Sequence, residues 1–304
     1  ATSDAAAKRT PGRIFIRLTL PDEEPDGPPG FRGYAAVDPE TGRYEPLGIS
    51  EGHSLRVSPD GQTVAYAHEE ALWTNNLKGN SPGRIAGFSG RPVWTPDGRH
   101  IIATDQRLNE EDKKDQPEKP VWTNDTWKID LSNGSKAPLP IPDTDAVNDI
   151  SPDGEWVVTT TDRHPPFGRG YQLYVMKTDG TEERRLTTGR GLNVHARFSP
   201  DGKQIVYTHQ RRGEGTNIHV ISFDGAGHKK ITDRLDIGPE ACWSPDGKHL
   251  AIAMHDWPVD PEGGQRLSAG EDVDYRLIIT DADGQNERRV ELPKADWISL
   301  AGWQ

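Results

Sequence analysis

One tetrapeptide recurs along the chain, and its spacing constrains the fold more than any other feature of the sequence. Ser-Pro-Asp-Gly or Thr-Pro-Asp-Gly begins at residues 58, 95, 151, 199 and 244. Successive copies are 37, 56, 48 and 45 residues apart. A repeat with this period and scatter indicates one supersecondary unit that is copied along the chain and carries loop insertions of variable length.

Each unit has the pattern of four short strands. In the copy at residue 199, the stretches HARF, QIVYTH, NIHVISF and KKIT predict strands, with SPDG after the first and DG after the third. Proline presets φ, aspartate bonds its own backbone and glycine accepts a positive φ. SPDG is therefore interpreted as a tight turn rather than as a catalytic Ser/Asp pair. Four strands per repeat are typical of a β-propeller blade.

The two chain ends complete the blade count. RIFIRLTL, GYAAVD and RYEPLG predict three strands with no SPDG before them, and WISLAGWQ at the C-terminus supplies the missing one. We predict an all-β, six-bladed β-propeller of four-stranded antiparallel blades, closed by the C-terminal strand joining the N-terminal blade. The predicted organisation is a disordered leader at 1–11 and a single propeller domain at 12–304, with blades at 12–50 plus 297–304, 53–88, 90–141, 145–188, 193–233 and 237–293.

Composition excludes two classes of partner. The formal net charge is −12, which disfavours nucleic acid, and no apolar run reaches the length of about 20 residues that a membrane helix needs. The single cysteine, Cys242, follows Ala241 and precedes Trp243, which predicts a small buried side chain. We expect a monomer with neither nucleic-acid nor membrane-spanning contacts.

The repeats carry a family resemblance. SPDG, an apolar strand, and then QLYVMKTDG or NIHVISFDG resemble the six-bladed propeller repeat of the TolB family. The resemblance covers the chain from Gly12 onwards, without the separate α/β domain that precedes the propeller in that family. It implies a location in the bacterial periplasm or at the cell surface.

The meander of each blade places the SPDG and DG turns on one face and the long insertions on the other. We call these faces the tight-turn face and the insertion-rich rim. Binding residues concentrate in loops held by a rigid scaffold, so the insertion-rich rim is the predicted binding face. Its candidate residues are Trp122, Arg163, His164, His209, His255, Asp256 and Trp257.

Alternation along the innermost strands predicts the channel lining. The residue before each motif is large and apolar in all six blades and is expected to pack between blades: Val57, Trp94, Ile150, Phe198, Trp243 and Trp303. Positions two and four before the motif are expected to point into the channel. The first ring is Arg56, Val93, Asp149, Arg197, Cys242 and Gly302, and the second is Ser54, Arg91, Val147, His195, Glu240 and Leu300.

The polar members of these rings leave two interpretations open. Arg56, Arg91, Asp149, His195, Arg197 and Glu240 either satisfy one another as ion pairs or form a ligand pocket whose guanidinium groups recognise a carboxylate or phosphate. A small acidic ligand or an oligosaccharide is then a candidate besides a protein or peptide.

Two functions from different classes follow. The first is a non-enzymatic scaffold that binds a protein or peptide through the insertion-rich rim and the polar channel mouth. The alternative is a metal-assisted lyase or hydrolase for an acidic sugar. The SPDG repeat also resembles that of the oligogalacturonate lyases, a family of seven-bladed propellers that use histidines on one face around a metal. The candidate residues for this alternative are His195, His209 and His255, with a divalent metal and with Arg91 or Arg197 on the substrate carboxylate. GxSxG occurs at 48–52 and 79–83, but neither copy joins a strand to a helix in the predicted all-β fold, so neither is interpreted as a nucleophile elbow. No phosphate-binding glycine loop or CxxC pair is present.

Overall fold

The chain folds into a ring of antiparallel sheets. The computed structural model describes residues 12–21, 30–88, 90–108, 122–141, 146–163, 170–211, 215–232, 240–256 and 273–304. Over these residues, 24 strands form six four-stranded sheets. The predicted all-β, six-bladed propeller is confirmed, while the leader predicted at 1–11 lies outside the described residues.

Each sheet is one blade, and its strands follow one another from the channel outwards. Blades 1 to 3 are β24 (Trp297–Trp303), β1 (Ile14–Thr19), β2 (Arg32–Val37) and β3 (Tyr44–Pro46); β4 (His53–Val57), β5 (Thr63–His68), β6 (Ala71–Asn76) and β7 (Gly83–Ala86); and β8 (Val93–Trp94), β9 (His100–Leu108), β10 (Trp122–Asp130) and β11 (Lys136–Pro138). Blades 4 to 6 are β12 (Ala146–Ile150), β13 (Trp156–Thr161), β14 (Gln172–Lys177) and β15 (Arg184–Arg185); β16 (Leu192–Phe198), β17 (Gln204–Arg211), β18 (Gly215–Ser222) and β19 (Lys229–Lys230); and β20 (Glu240–Trp243), β21 (His249–Asp256), β22 (Asp274–Asp281) and β23 (Arg288–Val290).

The C-terminal strand closes the ring as predicted. β24 pairs antiparallel with β1, from Trp303 opposite Ile14 to Trp297 opposite Thr19. The pairing extends past both strands, because the Arg13 amide donates to the Gln304 carbonyl at 2.6 Å and the Gln304 amide donates back at 3.0 Å. The first blade is thereby assembled from both ends of the described chain.

Six hydrophobic clusters form the core, one at each interface between neighbouring blades. The residue before each motif lies in a different cluster and is at most 8% exposed. This confirms its predicted role in packing between blades. The six residues are Val57, Trp94, Ile150, Phe198, Trp243 and Trp303.

A close approach of two backbones joins blades 1 and 2. The Gly48 amide donates to the Leu77 carbonyl at 3.2 Å, and a Cβ atom at Gly79 would overlap the Gly48 carbonyl oxygen. We expect Gly79→Ala to lower the free energy of unfolding by about 3 kcal/mol, because it adds this overlap to the strain of a positive φ. Urea unfolding measures the change.

A matched glycine separates the overlap from the backbone strain. Gly61 has a φ of 70°, close to the 71° of Gly79, and no heavy atom lies within 4 Å of a Cβ built there. We expect Gly61→Ala to cost about 1–2 kcal/mol. Equal losses at the two positions would contradict the overlap argument.

Among the described residues, no helix is long and apolar enough to cross a membrane.

Candidate functional site: the channel and the insertion-rich rim

The five SPDG and TPDG turns share one hydrogen-bonding arrangement. At Ser58, for example, the hydroxyl donates to Asp60 at 2.5 Å and accepts the Thr63 amide at 3.0 Å, while Asp60 also accepts the Gln62 amide. The hydroxyl hydrogen bond lowers the pKa of Asp60. The serine and aspartate therefore hold the turn, and the repeated turn sets where each inner strand ends.

The first ring lies in one cavity, as the alternation predicts. Arg56, Val93, Asp149, Arg197, Cys242 and Gly302 all line a space of about 410 Å³. The prolines of four SPDG turns line it as well: Pro59, Pro152, Pro200 and Pro245. The cavity therefore reaches the tight-turn mouth of the channel, at the opposite end from the insertion-rich rim.

The predicted second ring is wrong at Val147 and Leu300. A bulge shifts the register between Val147 and Asp149 in β12, and an extra residue in β24 lies opposite the step from Phe15 to Ile16. One inserted residue turns the earlier side chains to the other face of the strand. Val147 and Leu300 are consequently buried in hydrophobic clusters between blades.

The polar residues of the second ring stay close to the first. β16 also shifts register before Arg197, and His195 has a φ of 58°. The Nδ1 atom of His195 lies 3.5 Å from the Glu240 carboxylate. The negative charge of Glu240 acts to raise the pKa of both Arg91 and Arg56, against the effect of burial. The structure therefore brings the predicted polar residues into one electrostatic cluster. The members of this channel cluster are Arg56, Arg91, Asp149, His195, Arg197 and Glu240.

Within the described residues, the channel cluster does not form a ring of arginine–carboxylate ion pairs, which was one of the two interpretations of the sequence. Among the described residues, its three arginines have no carboxylate oxygen within the 4.0 Å of an ion pair. The carboxylates instead bind backbone amides of the next blade: Asp149 accepts from Phe198 at 2.8 Å, and Glu240 accepts from Leu300 at 3.2 Å. The ion-pair interpretation is wrong because both carboxylates accept hydrogen bonds that link neighbouring blades.

Burial and like charge shape the protonation of the cluster. Burial lowers the pKa of Arg56 well below its ordinary value, and the charges of Arg197 and Arg91 lower it further. Burial lowers the pKa of His195 to about 4, although Glu240 opposes this shift. The imidazole is therefore neutral at pH 7, and three guanidinium groups face two carboxylates.

Two of the predicted rim residues make structural contacts. Arg163 forms an ion pair with Glu183, and its guanidinium lies over the Tyr174 ring at 5.2 Å. The Nδ1 atom of His209 lies 2.8 Å from the Asn193 side-chain oxygen. His164 and Trp257 lie outside the described residues, as do the side chains of Trp122 and Asp256.

His255 belongs to an aromatic cluster that sequence reasoning missed. Its ring centroid lies 5.1 Å from that of Tyr275 and 6.3 Å from that of Trp297, and the last two are 5.6 Å apart. All three residues stand at strand ends on the insertion-rich rim. Trp297 is the one large hydrophobic side chain that is exposed in the described chain, at 47%. The sequence feature that could have indicated this cluster is the tryptophan at the first position of the inner strand β24.

The described residues do not fit a metal centre. His195 lies beside Glu240 in the channel, His209 contacts Asn193 and His219 in blade 5, and His255 packs on Tyr275. No group of three or more histidine, cysteine, aspartate or glutamate side chains in the described ranges could hold a metal ion.

The sequence comparisons match part of the chain. Residues 142–257 match the family model of the TolB beta propeller domain, PD40. An uncharacterized peptidase of Bacillus subtilis (strain 168), YuxL, is 29% identical over 118 residues, which are 38% of this chain. The matched segment covers 16% of the length of that relative.

The structural comparisons extend over most of the chain. TolB from Acinetobacter baumannii superposes with a TM-score of 0.66 at 20% identity, covering 95% of this chain and 67% of TolB. An oligogalacturonate lyase in complex with manganese superposes with a TM-score of 0.52 at 17% identity, covering 85% of this chain and 70% of the lyase. At these identities the matches show the fold, a β-propeller, and the PD40 match lies within it at residues 142–257.

Proposed function

We propose that this chain is a non-enzymatic binding propeller that engages a protein or peptide partner through the insertion-rich rim and the channel mouth on that side. The observation that carries the proposal is the exposure of Trp297, 47%, whereas every other large hydrophobic side chain among the described residues is buried or partly buried. A TolB-like propeller fold supports a binding or scaffold role.

The aromatic cluster has the properties of a binding anchor. Exposed tryptophans dominate the binding energy of many interfaces, because a rigid indole buries a large apolar area at a small entropic cost. Tyr275 and His255 pack against Trp297 and limit its freedom before a partner arrives. The exposed part of the indole is therefore preorganised for contact.

The cellular setting is also part of the proposal. The resemblance to TolB-like propellers supports a monomer in the bacterial periplasm or at the cell surface. The partner is a protein or peptide with an apolar or aromatic side chain that stacks on the indole of Trp297.

The metal-assisted lyase or hydrolase is the competing proposal. Its support is the shared fold with an oligogalacturonate lyase solved with manganese. The separation of His195, His209 and His255 in the described chain weighs against a site built from those three residues. Incubation with polygalacturonate, with and without Mn²⁺, distinguishes the proposals, because elimination creates an unsaturated product that absorbs ultraviolet light.

Selection from a phage-displayed random peptide library tests the binding role. We expect the immobilised protein to enrich apolar or aromatic peptides, and Trp297→Ser to weaken their binding at least 10-fold, the size of an interface anchor of about 1.4 kcal/mol or more. Trp297→Phe keeps an aromatic ring and is expected to restore part of the affinity.

A control on the other face makes the result specific. Lys203 lies on the tight-turn face with 81% of its side chain exposed, and Lys203→Ser is expected to leave peptide binding unchanged. Enriched peptides that bind Trp297→Ser as tightly as wild type would contradict the rim proposal. Metal-dependent cleavage of polygalacturonate would replace it with the enzymatic one.

A further inference from the structure

We propose that the tight-turn mouth of the central channel binds a small aliphatic monocarboxylate. This site lies at the opposite end of the channel from the insertion-rich rim. It is therefore independent of the partner proposed for that rim, and its test can fail or succeed separately.

The cavity holds more hydrogen-bond donors than the protein satisfies. A guanidinium group carries five N–H donors. Arg56 donates to the Leu55 carbonyl and Arg197 to the Ala301 carbonyl, each at 3.3 Å, and both acceptors are backbone atoms. The Nε atom of Arg197 is buried and has no hydrogen-bond partner in the described chain. Buried donors are normally paired, so the remaining N–H groups of Arg56 and Arg197 are suited to bind the acceptor atoms of a ligand.

The nearby carboxylates do not supply that acceptor. Asp149 and Glu240 accept backbone amides of neighbouring blades, and neither lies within 4.0 Å of a guanidinium group of the described residues. Arg197 reaches from blade 5 to the Ala301 carbonyl of blade 1, so its charge lies across the channel. Carboxylates are the natural partners of guanidinium groups, which can bind both oxygens at once.

The charge of the cluster favours a monoanion. Three guanidinium groups and two carboxylates leave one formal positive charge when His195 is neutral. A single carboxylate neutralises this excess, whereas a polyanion would also be repelled by a protein with a formal net charge of −12. A bound carboxylate would also relieve the repulsion among Arg56, Arg91 and Arg197.

The walls of the cavity favour an apolar substituent on that carboxylate. The indole N–H groups of Trp94 and Trp243 donate to the carbonyls of Arg56 and Arg197 at 3.1 and 3.2 Å, so the remaining indole surface is apolar. Four proline rings line the same mouth. Ligand pockets of this kind combine apolar walls with a few placed polar groups. A short alkyl chain fits the space of about 410 Å³.

Titration of the purified protein with sodium butyrate tests the site. Trp94, Trp243 and Trp303 line the cavity, so intrinsic fluorescence reports occupancy, and isothermal titration calorimetry confirms it. We expect saturable binding of butyrate, no binding of the neutral isostere butyramide, and weaker binding of inorganic phosphate. N-acetyl-Ala-Ala-Val and its C-terminal amide show whether a peptide C-terminus is also accepted.

Three variants assign the binding to the guanidinium groups. Arg56→Gln and Arg197→Gln are expected to weaken butyrate binding at least 10-fold, because each removes a charge-assisted contact. Arg99→Gln removes an exposed arginine from the same face and is expected to leave the affinity unchanged. Thermal unfolding of Arg56→Gln checks the fold. We expect little change in melting temperature, because the substitution removes the repulsion from Arg197 and Arg91 together with the attraction to Glu240 and Asp149.

The outcomes are distinct. Binding of butyrate that Arg56→Gln abolishes supports the site, and binding of the peptide acid alone supports it with a peptide C-terminus as the source. The proposal is overturned by an absence of saturable binding of both acids, by equal binding of butyramide, or by phosphate binding as tightly as butyrate.

Discussion

Trp303→Ala is expected to lower the free energy of unfolding by about 3–5 kcal/mol, the cost of deleting a large buried aromatic side chain. Trp303 is 5% exposed and lies in the cluster that joins blade 6 to blade 1. It is also the last residue of β24, the strand that closes the ring against Ile14. For a chain of this size, a fall in melting temperature on the order of 10 °C is expected.

The same strand provides the control for this prediction. Trp297 is the first residue of β24 and pairs with Thr19, yet it is 47% exposed. We expect Trp297→Ala to cost about 1–2 kcal/mol, less than Trp303→Ala, because about half of this side chain is already exposed. The two substitutions should therefore separate, with Trp303 affecting stability and Trp297 affecting peptide binding. Similar melting temperatures for Trp303→Ala and wild type would contradict closure of the ring by β24.

Glu240→Gln is expected to destabilise the protein by about 3 kcal/mol, because removing one charge from a buried group of opposite charges leaves the others uncompensated. Burial opposes ionisation of Glu240, but His195, Arg91, Arg197 and Arg56 outweigh it and lower the pKa of this carboxyl. Glutamine retains an oxygen that can accept the Leu300 amide. The loss therefore reports the charge rather than the hydrogen bond, and urea unfolding at pH 7 measures it.

An exposed pair controls for general charge effects. Glu45 pairs with Arg13 at 2.5 Å, with 70% and 56% of the two side chains exposed. Glu45→Gln is expected to cost less than about 1 kcal/mol, because solvent screens exposed pairs. Added sodium acetate should recover stability in Glu240→Gln more than in Glu45→Gln, since the uncompensated guanidinium groups bind anions. Equal losses and equal recovery in both variants would show that the channel cluster is not electrostatically coupled.

The fold could be predicted from the sequence because each turn sets the phase of its own strand. The motif at Ser58 and its four equivalents fix where the inner strands end, so the residue before the turn, such as Phe198, is placed correctly between blades. The residue two positions before each turn is then predicted to point into the channel. Arg56 and Arg197 occupy this position, and both line the same cavity.

Prediction fails where the strands are irregular. Positive φ values at Ser54 and His195 accompany the register shifts of β4 and β16. A serine or a histidine in the sequence does not predict a positive φ. The partners of Asp149 and Glu240 also depend on how neighbouring blades meet. Alternation says that a side chain points into the channel, but not which atom it binds there. Trp297 was missed for a related reason, since its contacts with His255 and Tyr275 depend on how blades 6 and 1 meet.

Hydrogen–deuterium exchange of the wild-type protein, with and without a library-selected peptide, is the most direct test of the insertion-rich rim as the binding face. We predict slower exchange at the end of β21 and at the beginnings of β22 and β24, around His255, Tyr275 and Trp297, with unchanged exchange in the SPDG turns. Slower exchange confined to the SPDG turns or to the outer strands would contradict the account, because it would place the partner away from the rim.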